Sequence, residues 1–388
     1  MRYLLGMIKM TTAALFFLAA GILTSVSILS IYQILFAVPL AYFTFLAIKE
    51  KNIQLPKSAW FLLAFAVVAA LSLVINLDLV PKPSKNFGRI KYFLYGIGGI
   101  FVLRVWLNEA SDQLKKNLVR VFLFSMIVAG LYCCWEFFFS GKARVKSLTD
   151  TMRYGYGSAM ILLSLLSALL HREKIKQWFD FKMGAVAFVL GFVGMYLTYT
   201  RGGLLGFLCG IPFVLYFYKP KLGLTLGGLA VLGVLGLGSI YLFGSGQYES
   251  RFLTNKNNPS DVIRRSQWQA AIIATQEKPI LGWGLSNFHS QLKRIKTDYD
   301  LDAKEYHDAH SHNLFLEVAS GTGLVGLFLF LGWLISWAWE SFKTGGLTRA
   351  LVIPFGVALV VSSQFEVTFD ANNASMIFFL YALSTAKK

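Results

Sequence analysis

The sequence predicts an all-α polytopic membrane protein with about 12 transmembrane helices and one large loop on the outer side. Hydrophobic residues make up 56% of the 388 residues and charged residues only 15%, whereas soluble proteins carry about 25% charged residues. Apolar runs of roughly 20 residues recur along the chain, and each is long enough to cross a hydrocarbon core of about 30 Å as a helix. The alternating pattern of a membrane β-barrel is absent from the sequence.

The predicted spans divide the chain into three regions. Residues 1–243 hold spans one to nine, residues 244–312 form the large loop with amphipathic helices, and residues 313–388 hold the last three spans. The predicted spans are residues 10–25, 28–48, 59–76, 90–107, 118–139, 156–170, 183–200, 203–218, 222–243, 313–339, 348–365 and 371–386.

The distribution of basic residues predicts the orientation of the chain. With the N-terminus inside, the termini and inner connections hold 19 Lys and Arg residues, and the short outer connections hold nine. Because short cytoplasmic loops collect Lys and Arg, both termini are predicted to be cytoplasmic and residues 244–312 to lie outside. Topology accounts for the cytoplasmic share of the net charge of +17, and no nucleic-acid partner is predicted. The 18 basic residues of the outer side exceed what topology requires, and either a bound polyanion or anionic head groups would explain them.

The stretch from Asp308 to Gly326 closes the longest polar segment and opens a long apolar span. His312 and Asn313 stand where this span begins, and a helix start offers unpaired N–H groups and a partial positive charge. An imidazole there can take a proton from an attacking hydroxyl. We therefore predict that His312 is a general base, that Asp308 or Glu317 holds its other ring nitrogen, and that the neighbouring glycines allow tight helix packing.

Two arginine segments predict an anion site on the same side. Arg201 lies between two spans that almost touch, and a guanidinium at the membrane boundary normally has an anionic partner or a water-filled cavity. Gly202 and Gly203 leave room beside it for a ligand or for backbone. In the loop, Arg264 and Arg265 belong to a predicted amphipathic helix. In both places, the alternative is an arginine that reaches the membrane interface and binds no ligand.

The sequence does not predict a metal or another cofactor. The aspartate run at 298–302 lacks the glycine of a calcium loop, and the twelfth position is Ala309 instead of glutamate. His310 and His312 offer two zinc ligands, but the two further ligands of such a site cannot be named from the sequence.

Taken together, these features resemble the O-antigen ligase and polymerase superfamily of envelope polysaccharide enzymes. The resemblance rests on Thr200-Arg201-Gly202-Gly203, on Arg265-x-x-Trp268 with Pro279-x-Leu281-Gly282-x-Gly284, and on His312-Asn313 followed after nine residues by Gly323-x-x-Gly326. It covers about residues 183–330, and the last spacing is similar to the ligase branch. Thr200 stands where the family often has serine.

The resemblance implies an O-antigen ligase, a metal-independent glycosyltransferase of the bacterial inner membrane with its active site facing the periplasm. The implied donor is a glycan on undecaprenyl diphosphate, and the acceptor is lipid A–core oligosaccharide. His312 would deprotonate the acceptor, and Arg201 and Arg265 would bind the diphosphate. Possible supporting residues are Arg264, Arg153, His310, Asn313 and Asp308.

Two other functions remain open at this point. A polymerase would use the same donor with a second lipid-linked repeat as acceptor. A polysaccharide or lipid transporter is a different class, and transporters tend to place ionisable residues near the bilayer midplane. Here the notable charges gather at one boundary, which favours chemistry at the surface over passage through the membrane.

Overall fold

The protein is a bundle of α-helices. The computed structural model describes residues 2–51, 53–142, 144–225, 227, 259–301, 310–369 and 371–386, and no strand occurs among them. The helices are α1 (Arg2–Gly21), α2 (Val26–Lys49), α3 (Lys57–Ile75), α4 (Pro83–Glu109), α5 (Asp112–Phe138), α6 (Thr151–Leu170), α7 (Phe181–Leu197), α8 (Arg201–Tyr218), α9 (Pro259–Glu277), α10 (Phe288–Asp298), α11 (Leu314–Thr344), α12 (Gly346–Ser362) and α13 (Ala371–Thr385).

The predicted fold class is confirmed. Within the described ranges, 8 helices are long and apolar enough to cross a membrane, namely α1 to α6, α8 and α11, and two shorter apolar helices, α7 and α12, accompany them. Each predicted span except the ninth overlaps one of these helices. The ninth, 222–243, falls mostly outside the described residues.

Close pairing of helices builds the bundle. The most extensive pairs are α1 with α2, α5 with α7, α8 with α12, and α3 with α11. Trp333 on α11 is fully buried, and its ring lies 5.3 Å from the Phe378 ring and 5.7 Å from the Trp337 ring. Since lipid tails are as apolar as these side chains, close van der Waals packing has to hold the helices together.

Helices α9 and α10 occupy the described part of the predicted loop. They share a small core of their own, in which Ala271 and Ala274 of α9 meet Phe288 and Leu292 of α10. Helix α9 also packs against α11. The loop therefore has a folded element that is fixed to the first membrane span that follows it.

Helix α11 is interrupted at Gly323, whose φ of 71° and ψ of −177° belong to a region that is open essentially only to glycine. At this break the backbone of α11 pairs with the turn at 279–284. Leu324 N–H donates to the Pro279 carbonyl at 2.7 Å, and Trp283 and Gly284 N–H donate to the Ser320 and Gly321 carbonyls at 2.9 and 2.8 Å.

The prediction that the glycines of α11 serve helix packing is therefore wrong for Gly321 and Gly323. Backbone of the loop, and not a neighbouring span, approaches them. A Cβ on Gly282 would lie 2.6 Å from the Ser320 carbonyl oxygen, and a Cβ on Gly323 would overlap the Ile280 carbonyl. The glycines of the 279–284 turn and the glycines of α11 therefore lie on the two sides of one backbone contact.

Gly323→Ala is expected to destabilise the protein by about 2 kcal/mol or more, because strained backbone alone costs on the order of 1–3 kcal/mol and the added methyl group overlaps Ile280. Thermal unfolding in detergent measures the effect. Gly356→Ala on α12 is the matched control, since a Cβ there meets no atom within 4 Å. Equal stability of the two variants would contradict the assignment of Gly323 as the break.

Candidate functional site

His310, His312, Asn313 and Arg201 lie at one end of the bundle, which we call the site end. It is formed by the first turns of α6, α8 and α11 together with the connection between α12 and α13. The opposite end carries Trp106, Lys115 and Arg349. Residues more than a hundred positions apart in the chain meet at the site end because successive spans return to it.

Asn313 fixes the backbone that carries His312. Its Oδ1 accepts the N–H groups of Phe315 and Leu316 at 2.9 and 3.1 Å, which makes it the N-cap of α11. Its Nδ2 donates to the Gln364 side chain at 3.3 Å. His312 itself has a φ of 49°, in the left-handed region that non-glycine residues rarely adopt. The cap holds this turn against the α12–α13 connection.

Glu366 holds the His312 ring. His312 Nδ1 lies 3.2 Å from Glu366 Oε2, and His310 Nε2 lies 2.9 Å from Glu366 Oε1. The two imidazole rings are 4.3 Å apart between centroids. Of the two predicted partners, Glu317 instead accepts the Ser311 N–H at 3.0 Å, and Asp308 lies outside the described residues.

The electrostatics of this cluster keep Glu366 ionised. Its side chain is only 8% exposed. Burial alone would raise the pKa of this carboxyl, but hydrogen bonds from His310 and His312 outweigh burial and hold the pKa well below its ordinary value. Burial would likewise lower the pKa of His310, and the bond to Glu366 reverses this and raises it.

The protonation of His312 follows from its partner. An ionised carboxylate can only accept, so His312 Nδ1 must carry the hydrogen in its bond to Glu366. In the neutral ring, Nε2 is then left with a free lone pair. His310 is bound from two sides, because its Nδ1 also accepts the His312 N–H at 3.2 Å. The side chain of His312 is 24% exposed, so solutes can reach its ring.

Tyr156 on α6 links this cluster to the arginines. Its hydroxyl lies within electrostatic range of Glu366, Arg264 and Arg144. A Cβ on Gly202 would lie 2.8 Å from the Tyr156 hydroxyl and 2.9 Å from Phe365 Cβ, so the backbone beside Arg201 touches both Tyr156 and the segment that carries Glu366. Gly202 serves a close approach within the protein.

The arginines predicted to belong to the site lie on three helices, α6, α8 and α9. Arg201 is the first residue of α8, and its side chain is exposed. On α9, Arg264 is half-buried while Arg265 is exposed. Arg153 is half-buried in the first turn of α6, three residues before Tyr156. Of these, the structure relates Arg264 through Tyr156, and Arg201 through Gly202, to the His312–Glu366 cluster.

Sequence reasoning missed Glu366, Tyr156 and Arg144. Arg144 Nε donates to the Thr198 carbonyl at 2.9 Å, which positions it next to the start of α8. A signal for Glu366 was present in the topology. A short connection between the eleventh and twelfth predicted spans must return to the side on which His312 lies, and Glu366 is an acidic residue in that connection.

The part of the chain that carries the loop arginines and His312 is similar to known proteins. Residues 186–331 match the family model described as O-Antigen ligase. The resemblance to the O-antigen ligase and polymerase superfamily is confirmed. An uncharacterized protein of Haemophilus influenzae is 26% identical over 340 residues, which cover 81% of each chain.

The O-antigen ligase segment supplies only part of the site. It contains Arg201, both loop arginines and His312, whereas Glu366 and Tyr156 lie outside it. Residues 186–331 thus resemble the O-antigen ligase family, and the described part of the chain has 8 helices long and apolar enough to cross a membrane.

Proposed function

We propose that this protein is an O-antigen ligase of the bacterial inner membrane, with its active site facing the periplasm. In this proposal it moves a glycan from undecaprenyl diphosphate to a sugar hydroxyl of lipid A–core, without a metal, in lipopolysaccharide biosynthesis. The observation that carries the proposal is the bond between buried Glu366 and His312 Nδ1, next to an arginine-rich surface.

His312 acts as the base in this reaction. Glu366 fixes the ring proton on Nδ1, so Nε2 can accept the proton of the acceptor hydroxyl. The hydroxyl oxygen forms the new bond to the anomeric carbon as the bond from that carbon to the diphosphate oxygen breaks. Such a proton transfer typically contributes roughly 10²–10⁴-fold to the rate. The imidazolium that forms is stabilised by the carboxylate of Glu366.

The arginines stabilise the leaving group. Undecaprenyl diphosphate departs with its negative charge, so neutralisation of that charge matters more than protonation of the leaving oxygen. Arg201 and Arg265 are exposed at the site end, and a guanidinium offers paired, permanently charged donors to phosphate. Arg264 and Arg144, which interact electrostatically with the Tyr156 hydroxyl as Glu366 does, add positive charge to this surface.

Arg265→Lys is expected to reduce transfer by about tenfold or more. Lysine keeps the charge but loses the paired donors, and one hydrogen bond to a charged group contributes about 1.5–3 kcal/mol. Initial transfer rates at several donor concentrations measure the loss of activity, which should appear at low donor concentration. Arg294→Lys is the control, because Arg294 is paired with Glu277 and Asp298 within the loop helices. Near-normal rates in Arg265→Lys would remove this residue from the diphosphate site.

The deciding experiment offers the purified protein in detergent a lipid-linked glycan donor with either lipid A–core or a second donor molecule. Transfer to lipid A–core supports the ligase, which the spacing from His312-Asn313 to Gly323-x-x-Gly326 also favours. Extension of the second donor would identify a polymerase instead. Because detergent leaves no sealed membrane, any transfer at all excludes transport as the primary activity.

A further inference from the structure

Three side chains at the site end have the chemistry of a metal site. One ring nitrogen each of His310 and His312 and one carboxylate oxygen of Glu366 all lie within 4.8 Å of one another. The sequence offered the two histidines, and the fold brings in a third ligand from a distant part of the chain. Two histidines and a glutamate with an open fourth position are a ligand set that Zn²⁺ uses in proteins.

We propose that His310, His312 and Glu366 bind one divalent cation of the Zn²⁺ type, and that this cation inhibits the enzyme by occupying the base. The inhibitory part rests on the proposed function, whereas the binding part does not. The cation is a regulator in this proposal and takes no part in glycan transfer.

The present distances are close to those of a loaded site. Zinc bonds of about 2.0–2.2 Å to nitrogen and oxygen in a tetrahedron place neighbouring ligand atoms about 3.4 Å apart. The two nitrogen–oxygen distances here are 2.9 and 3.2 Å. These distances run to two different oxygens of Glu366, and all three ligand atoms lie within 4.8 Å of one another, so small side-chain movements would bring them to one ion.

Access and charge also suit a cation. The His310 and His312 side chains are 41% and 24% exposed, so an ion can reach them from the aqueous side, whereas Glu366 is buried beneath them. His310 lies within electrostatic range of Glu317 and Arg89, whose charges are opposite. The Glu366 carboxylate supplies the anionic ligand of the set.

The inhibition follows from the tautomer. A cation bound to His312 Nδ1 takes the place of the proton on that nitrogen, and the ring proton then resides on Nε2. Nε2 is the atom that accepts the hydroxyl proton in the proposed transfer. With both ring nitrogens occupied, the acceptor hydroxyl has no base.

Calorimetric titration of Zn²⁺ into the full-length, chelator-treated protein in detergent tests the site. We expect one ion per chain, with binding weakened about tenfold or more in both His310→Gln and Glu366→Gln, since even indirect partners of a metal site contribute roughly 10–100-fold. His289→Ala removes an exposed histidine of α10 and should leave binding unchanged. Absent binding, or binding that both ligand variants retain, overturns the proposal.

Transfer assays test the inhibitory role separately. Wild-type transfer should fall as Zn²⁺ fills the titrated site and return when a chelator is added. Full transfer by the Zn²⁺-saturated protein overturns the regulatory role. If the metal-free protein transfers no glycan while the titration shows the site, the proposed ligase function fails and the cation site stands.

Discussion

His312→Ala is expected to lower glycan transfer by roughly 10²–10⁴-fold, the usual contribution of a positioned general base. The variant should remain folded, because the backbone turn at this position is held by Asn313 and not by the imidazole. Transfer to lipid A–core in detergent measures the rate. Donor binding should persist, since the arginines assigned to the diphosphate are untouched.

His289→Ala is the matched control for this experiment. It removes an exposed histidine from α10 and should transfer at the wild-type rate. Thermal unfolding of both variants shows that any loss is not a loss of fold. Substantial transfer by well-folded His312→Ala would mean that another group takes the hydroxyl proton, and the mechanism proposed for this site would have to be abandoned.

Glu366→Gln is the second large effect that we expect. The amide keeps the size of the side chain but loses the charge and one acceptor oxygen, so two imidazole N–H groups compete for a single acceptor. In a fraction of the molecules, His312 then carries its ring proton on Nε2 and not on Nδ1. Partners of this kind typically contribute roughly 10–100-fold, and we expect a loss in that range, mainly in kcat.

Two further variants separate positioning from plain destabilisation. Glu366→Asp retains the charge and both oxygens, so it should recover part of the transfer that Glu366→Gln loses. Glu277→Gln changes a carboxylate that binds Arg294 away from the histidines, and it should leave kcat unchanged. If Glu366→Asp and Glu366→Gln lose activity equally, the charge of Glu366 has no role in orienting His312.

Much of the helical framework was predictable because a membrane leaves few choices. A run of about 20 apolar residues can satisfy its backbone in lipid only as a helix. The break at Gly323 was not predictable in this way, because the hydropathy of residues 313–339 predicts one continuous span. The break depends on hydrogen bonds to a turn some 40 residues away, and hydropathy carries no information about such a contact.

The candidate site was predictable in its residue types and less so in its contacts. The start of a helix after a polar segment singled out His312, and the membrane boundary singled out Arg201. The partner of His312 was missed because proximity in sequence favoured Asp308 and Glu317. The carboxylate that binds the ring is 54 residues away, and only the return of the chain to the same boundary places it there.

The backbone pairing at the break in α11 also has a consequence for motion. Because the 279–284 turn is hydrogen-bonded to α11 on both sides of Gly323, the segment that follows the Arg264 helix is joined directly to the helix that begins after His312. A hinge between them would let the base drift relative to the phosphates while a long lipid-linked glycan pulls on the loop. In the proposed reaction, these hydrogen bonds would pass such a pull into α11 and keep the base and the leaving group at the same spacing.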